Sequence, residues 1–171
     1  LLISSVTSGT ATDTRLTTVN TEEILPNAEG KREVASAQSP VILQINIDSV
    51  IGMDDLTAKA IRQQLVESRE GDFKNNRVKG ILLYMDTPGG VATDSDSIYR
   101  VLMEYKKQYN VPIYAYVDGL CASGGMYIAI AADKIMASET SLIGSIGVIA
   151  PTFLNFTKLL EKVGVDTLTL S

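Results

Sequence analysis

The order of hydrophobic patterns along the chain predicts an α/β fold with a largely parallel sheet and right-handed crossovers. Three observations carry this. Short β-rich runs alternate with segments whose apolar residues recur at helical spacing. One run, Gly80-Ile81-Leu82-Leu83-Tyr84-Met85, is apolar without interruption, the mark of a strand covered on both faces. Glycine, proline and Asx residues punctuate the joins, and no tandem repeat interrupts the alternation.

The elements come in order. Residues 1–40 are rich in Thr and Ser and lack periodicity, so they are expected to be an arm or linker lying against the domain or a neighbouring subunit. Val41–Ile47 predicts the first strand. Leu56, Ala60, Ile61 and Leu65 then mark a helix with Asp54 and Asp55 at its positive end, closed by Gly71. Asp86-Thr87-Pro88-Gly89-Gly90 breaks the second strand. A second helix carries Ile98, Val101, Leu102 and Tyr105, with Thr93, Asp94, Ser95 and Asp96 as capping candidates. Beyond Asn110 and Pro112, Ile113–Val117 predicts a strand, and Ile128–Ala132 a small buried helix. Asp133 leads into a short strand at Lys134–Ala137, and Leu142–Ile149 is apolar. Pro151 opens a third amphipathic helix with Phe156, Leu159, Leu160 and Val163, ended by Gly164; Asp166–Leu170 predicts a last strand.

Composition narrows the chemistry. A chain of 171 residues, 45% hydrophobic and 20% charged, suffices for one domain with a real core. A net charge of −5 without a Lys/Arg run argues against nucleic acid as a partner. The single cysteine excludes an internal disulfide framework and a cysteine-rich zinc site. There is no histidine, which excludes a Ser-His-Asp triad, a Cys-His dyad and histidine metal sites within these residues. An activated serine would need Lys, Asp, Glu or the N-terminal amine as its base. No segment reaches the ~18–20 apolar residues that span a bilayer. Leu1-Leu2-Ile3 is expected to be the tail of a removed membrane anchor.

Ligands of a parallel sheet bind where the chain leaves the carboxyl ends of its strands. Two turns of that kind end in Gly-Gly after apolar runs: Asp86–Gly90 and Leu120–Gly125. Each can present open backbone N–H groups, and an oxyanion hole needs two donors about 3 Å from one developing charge. Gly90 and Gly124 are the candidate donors, with Ser123 as candidate nucleophile. Alone, Ser123-Gly124-Gly125 fits a serine N-cap with a glycine-eased turn equally well. Cys121 competes as a nucleophile but reads as a packed core residue. Phosphate-loop and dinucleotide fingerprints are absent, which makes phosphate binding a weak alternative.

Several blocks together resemble the signal peptide peptidase A family, also called protease IV. They are Asp86-Thr87-Pro88-Gly89-Gly90, Ala122–Ala129 (Ala-Ser-Gly-Gly-Met-Tyr-Ile-Ala), Ala132-Asp133-Lys134-Ile135 and Gly144-Ser145-Ile146-Gly147-Val148-Ile149. The similarity runs from about Val41 to the end, in the same order. It implies a Clp/crotonase-type α/β fold of repeated ββα units with a mostly parallel sheet. It also implies a serine endopeptidase with a Ser-Lys dyad that degrades residual signal peptides or other extended apolar peptides. Such enzymes need no cofactor or metal, assemble into ring-like homo-oligomers, and are membrane-anchored with the catalytic domain outside the cytoplasm. By position, Ser123 is then the nucleophile, the Gly90 and Gly124 amides form the oxyanion hole, and Ser145 orients the general-base lysine. A peptide would lie along a strand edge at Gly89, Gly90 and Val91.

One departure concerns the base. The family's base lysine lies in a Ser-Gly-containing segment after the last strand, a position that falls just past Ser171. Of the lysines after Ser123, Lys158 and Lys162 are expected on a polar helix face, and Lys134 is expected to cap the carbonyls of the helix before it. Lowering a lysine to the ~7–8 of a general base takes ~3 pK units, which such positions do not supply. The expected organisation is therefore an arm at 1–40 and a catalytic domain at 41–171 that lacks its base. Two further readings are a catalytically inactive ring-forming scaffold and a crotonase-like acyl-CoA enzyme using the same pair of amides.

Overall fold

A computed structural model describes residues 2–7, 19–24, 26, 29–32, 38–71, 73–149 and 155–164. In chain order the elements are β1 (Leu2–Thr7), β2 (Val19–Ile24), β3 (Val41–Ile47), α1 (Ala58–Glu70), β4 (Val78–Thr87) and α2 (Ala92–Tyr109). They continue with β5 (Ile113–Ala122), α3 (Gly124–Ala129), β6 (Lys134–Ala137), β7 (Leu142–Gly144) and α4 (Thr157–Lys162). The strands form one sheet in the order β2-β1-β3-β4-β5-β6, with β7 pairing β5 after β6 has left it. Every pairing is parallel except β1 with β2. The mostly parallel α/β architecture expected from the sequence is present. The expected strand at Asp166–Leu170 and the helix start at Pro151 lie outside the described residues.

Side-chain alternation puts the core on one face of the sheet. The pairs Leu43–Ile81, Ile45–Leu83 and Ile47–Met85 run on into Ile113, Ala115 and Val117, and all nine residues are buried. Ile61 and Leu65 of α1, Ile98 and Leu102 of α2, and Ile128 of α3 close over this face in one cluster. Burying each such side chain stabilises the fold by about 1.5–3 kcal/mol. The intervening tiers behave differently. Gln44, Leu82 and Tyr114 pair across the sheet, as do Asn46, Tyr84 and Tyr116, and all are half-buried or exposed. The uninterrupted apolar run at 80–85 therefore does not mark a strand covered on both faces. Tyr84 reconciles its position with solvent by donating its hydroxyl to Asp118 Oδ2 at 2.6 Å and tilting against the Tyr116 ring.

The polar segment before residue 40 contributes strands that its composition does not advertise. β1 runs parallel to β3 with Leu2 opposite Val41, and β2 folds back on β1. A ready sheet edge offers backbone hydrogen bonds to a segment whatever its side chains.

The helix caps also differ from the sequence reading. Thr93, Asp94, Ser95 and Asp96 sit inside α2, whose N-cap Val91 makes no side-chain cap bond. Asp94 instead accepts from the Ala58 N–H at the start of α1, where Thr57 is the N-cap and accepts from Ala60 N–H. Asp54 and Asp55 remain in the preceding turn. Lys134 is exposed and does not cap the carbonyls that follow α3; Lys106 of α2 does, donating to Ala131 O at 3.3 Å. Lys106 also pairs with Asp133 Oδ1 at 2.6 Å, while Asp133 Oδ2 accepts from Ile113 N–H. The helix layer is thus tied to the start of β5 through one carboxylate.

Two measurements check this packing. Leu83→Ala should cost about 2–5 kcal/mol in denaturant unfolding and Leu82→Ala clearly less; equal losses would show that both sheet faces are packed alike. The hydrogen bond from Lys106, then that from Ile113 N–H, holds the Asp133 carboxyl below the usual carboxylate range. Its stabilisation is present above the ordinary aspartate value of ~3.9 and is lost as pH falls through the lower native one. Asp133→Asn should therefore destabilise at pH 7 and converge with the parent protein once pH has fallen below the lowered native value. A pH-independent difference in midpoint would exclude that origin.

Candidate active site

The site begins with a break in register between β4 and β5. Met85 pairs with Val117, yet Thr87 pairs with Cys121, so Asp86 alone faces residues 118–120. Such a bulge bends the strand and redirects the residues after it. Asp86 holds it: Oδ1 accepts from Leu120 N–H at 2.9 Å, and Gly119 packs so closely that a Cβ would lie 2.5 Å from the same oxygen. Ser141 clamps the other side, accepting from Gly119 N–H and donating to Val117 O at 2.9 Å. Below the bulge β5 pairs with β6; above it, Leu120–Ala122 pairs with β7. The strand therefore continues to Ala122, past the Val117 end expected from the sequence, and delivers Ser123 beside the loop that leaves β7.

Ser123 adopts φ 50°, ψ −118°, a conformation that costs a non-glycine residue about 1–3 kcal/mol. A sharp strand-to-helix turn of this kind holds a side chain clear of the backbone around it. Its N–H donates to Gly144 O at 3.2 Å and its Oγ to Gly147 O at 3.3 Å. Ser123 occupies the N-cap position of α3, but its hydroxyl makes no cap bond to that helix. Ser145 directly follows β7, is exposed, and shares the unusual positive φ, at 52°. The block 144–147 and Ser123 thus adjoin.

The two glycine turns meet. At Gly89 (φ +96°) a Cβ would lie 2.8 Å from Ala122 O and Ser123 Cβ, and 2.9 Å from Gly124 N. Gly124 likewise presses on the buried hydroxyl of Ser95, which donates to Val91 O at 2.9 Å. No side chain fits between the turns. Their backbone hydrogen bonds can be followed group by group. Gly89 N–H donates to Thr87 Oγ1 at 3.1 Å; Gly89 O accepts from Ile51 N–H at 3.0 Å; Val91 N–H donates to Ile51 O at 2.8 Å. The Gly90 and Gly124 N–H groups have no acceptor among the described residues; Gly90 is exposed and Gly124 half-buried. Val91 contributes a side chain that is 43% exposed.

Cys121 is fully buried, and desolvation pushes its thiol up to about 11. It is a neutral packing residue at neutral pH. Lys134, Lys158 and Lys162 are exposed, and no described lysine hydrogen-bonds Ser123. The residues that sequence reasoning passed over are Asp86, Thr87 and Ser95. Ser95 left a trace: it stands three and seven residues before Ile98 and Leu102, a polar residue in an apolar row.

Comparison with known proteins points the same way. The family model of peptidase family S49 matches residues 105–171. An Enterococcus faecium protein named putative signal peptide peptidase SppA is 34% identical over 169 residues, covering 93% of this chain and 47% of that protein. The Arabidopsis thaliana serine protease SPPA, chloroplastic, is 37% identical over 114 residues, covering 65% of this chain and 16% of that protein. The chain thus spans less than half the length of either relative. Among solved structures, the 1510-N membrane-bound stomatin-specific protease S97A mutant superposes with a TM-score of 0.51 at 21% identity. It covers 68% of this chain and 53% of that one, a likeness of fold.

Iodoacetamide should leave Cys121 unmodified in the folded protein at pH 7.5 and label it after urea unfolding, as read by mass spectrometry. Rapid labelling of the folded protein would show that the thiol is exposed and ionised.

Proposed function

The chain belongs to peptidase family S49, and from that premise we propose that it carries the nucleophile half of a Ser-Lys serine endopeptidase. The observation that carries the reading is the contact of the two glycine turns at Ser123, which leaves one unpaired N–H on each turn. Ser123 Oγ attacks the carbonyl carbon of the scissile peptide bond as its proton passes to a lysine amine. The Gly90 and Gly124 amides receive the oxyanion of the tetrahedral intermediate, each worth roughly 2.7–4 kcal/mol in the transition state. Collapse expels the amine leaving group, which takes up the proton from the lysine, and leaves an acyl-serine. Water, deprotonated by the same lysine, then releases the second product.

The base is assigned to a lysine outside residues 1–171, positioned by Ser145 next to the nucleophile. Two observations support this reading: there is no histidine, and the described lysines face solvent or, like Lys106, bind elsewhere. The substrate is an extended, apolar peptide such as a signal-peptide remnant, laid past Gly89, Gly90 and Val91. Apolar side chains of the loop beside Ser123 support both an apolar substrate and self-association into a ring: Ile146 is 80% and Val148 87% exposed. Among the described residues no helix is long and apolar enough to cross a membrane. Attachment, with this domain outside the cytoplasm, is assigned to an anchor elsewhere in the protein. A second reading, an inactive ring-forming scaffold, is favoured by the absence of a base beside Ser123 among the described residues.

In the full-length protein, Ser123→Ala should abolish cleavage of an apolar peptide while leaving the thermal midpoint within a few degrees. A fluorophosphonate should label Ser123 in the parent protein. Retained cleavage in the alanine variant would overturn the nucleophile assignment, and failure to label together with absence of cleavage in the parent protein would favour the scaffold.

A further inference from the structure

Thr87 is a polar residue with no solvent exposure at the carboxyl end of β4, following Ile81, Leu83 and Met85 in that strand's buried row and pairing with Cys121. Its hydroxyl donates to Ser49 O at 2.5 Å and accepts from Gly89 N–H at 3.1 Å. A hydroxyl offers one proton and two lone pairs, so both bonds form at once and in one direction only. The first bond anchors the loop after β3, the loop that also supplies Ile51. The second occupies one of the two adjacent glycine amides. Ile51 fixes the turn from its other side, taking Val91 N–H and giving its own N–H to Gly89 O. The two Ile51 bonds settle the peptide planes on either side of Gly90, the Thr87 bond settles the Pro88–Gly89 plane before them, and Gly90 N–H is the donor left over. The Thr87 methyl meanwhile packs on the second turn, where a Cβ on Gly125 would lie 2.6 Å from Thr87 Cγ2.

We infer that Thr87 is a positioning residue for the proposed oxyanion hole: by engaging the Gly89 amide and anchoring at Ser49 the loop that supplies Ile51, it leaves the Gly90 amide as the free donor and holds in place the Ile51 contact that sets its direction. This rests on the peptidase reading above. Without the hydroxyl, Gly89 N–H is buried and unpaired, and the turn can rotate to satisfy it at the expense of Gly90. Thr87 is wholly buried and cannot touch a substrate, so its loss acts on the transition state and not on ground-state binding.

The test uses the full-length protein and one apolar peptide substrate, with Ser123→Ala, Thr87→Val and Thr87→Ser measured side by side. Thr87→Val keeps the shape and loses both hydrogen bonds; Thr87→Ser keeps the hydroxyl and loses the methyl. Loss of one oxyanion donor lowers kcat about 10²–10³-fold, and a misdirected donor should lower it about 10–100-fold. The expected result is such a fall for Thr87→Val with KM within about twofold, and Thr87→Ser within about threefold of the parent kcat. A folded Thr87→Val enzyme with the parent kcat, or an equal loss in Thr87→Ser, would overturn the inference while Ser123→Ala remains inactive. Activity in Ser123→Ala would overturn the peptidase reading itself, and the inference with it. If Thr87→Val does not fold, Thr87→Cys replaces it: its thiol bonds more weakly, so an unchanged kcat there overturns the inference and a fall between those of the parent and an oxyanion-hole loss supports it.

Discussion

The register break between β4 and β5 is the constraint on which the rest of the site depends. In an unbroken parallel ladder β5 would keep β6 as its neighbour to the end and leave the sheet plane directly. Because Asp86 spans three residues of β5, the strand is turned and takes β7 as a new partner for its last three residues. Ser123 then emerges against Gly144 and Gly147 instead of solvent. The cost of placing three residues opposite one is met by hydrogen bonds. Leu120 N–H finds Asp86, Gly119 N–H finds Ser141, and Val117 O finds the Ser141 hydroxyl. A bulge satisfied in this way is a built feature of the strand.

From that break the site assembles through close backbone approach more than through side-chain contact. Gly89 touches Ser123 and Gly124, and Gly124 touches Ser95. Approach this close leaves room for no Cβ, which is why both turns end in paired glycines. It also explains how Ser123 can hold a strained backbone conformation. The turn is gripped from two sides, by Gly144 O through its own N–H and by the Gly89 turn against its Cβ. Strain of this size persists only where the surroundings over-determine it, and here they are rigid backbone on both sides.

The sheet's polarity and the placement of apolar surface are consistent with such a site. One face is sealed by α1, α2 and α3, which supplies the stability. The carboxyl edge and the loop 144–149 carry the open N–H groups and the exposed aliphatic side chains. The strands and helices thus hold what the turns present.

The amino-acid sequence by itself determined the alternation of strands and helices, because periodicity in burial is a local property of side-chain spacing. It narrowed the chemistry without fixing it: no histidine, one cysteine in an apolar context, and two glycine turns after apolar runs leave few ways to activate a serine. What it left open depended on partners distant in the chain. The cap status of Ser123 was undecidable from Ser-Gly-Gly alone, since its hydroxyl answers to Gly147, twenty-four residues on. The burial of Leu82 and Tyr84 depended on which sheet face the helices cover, and the strands at 2–7 and 19–24 on the presence of an edge at β3. Asp94 capping α1, Lys106 serving the carbonyls after α3, and Thr87 holding Ser49 O are likewise long-range pairings. Tertiary structure alone decided them, because a hydrogen bond is set by where the fold brings its two ends and not by how far apart they lie in sequence.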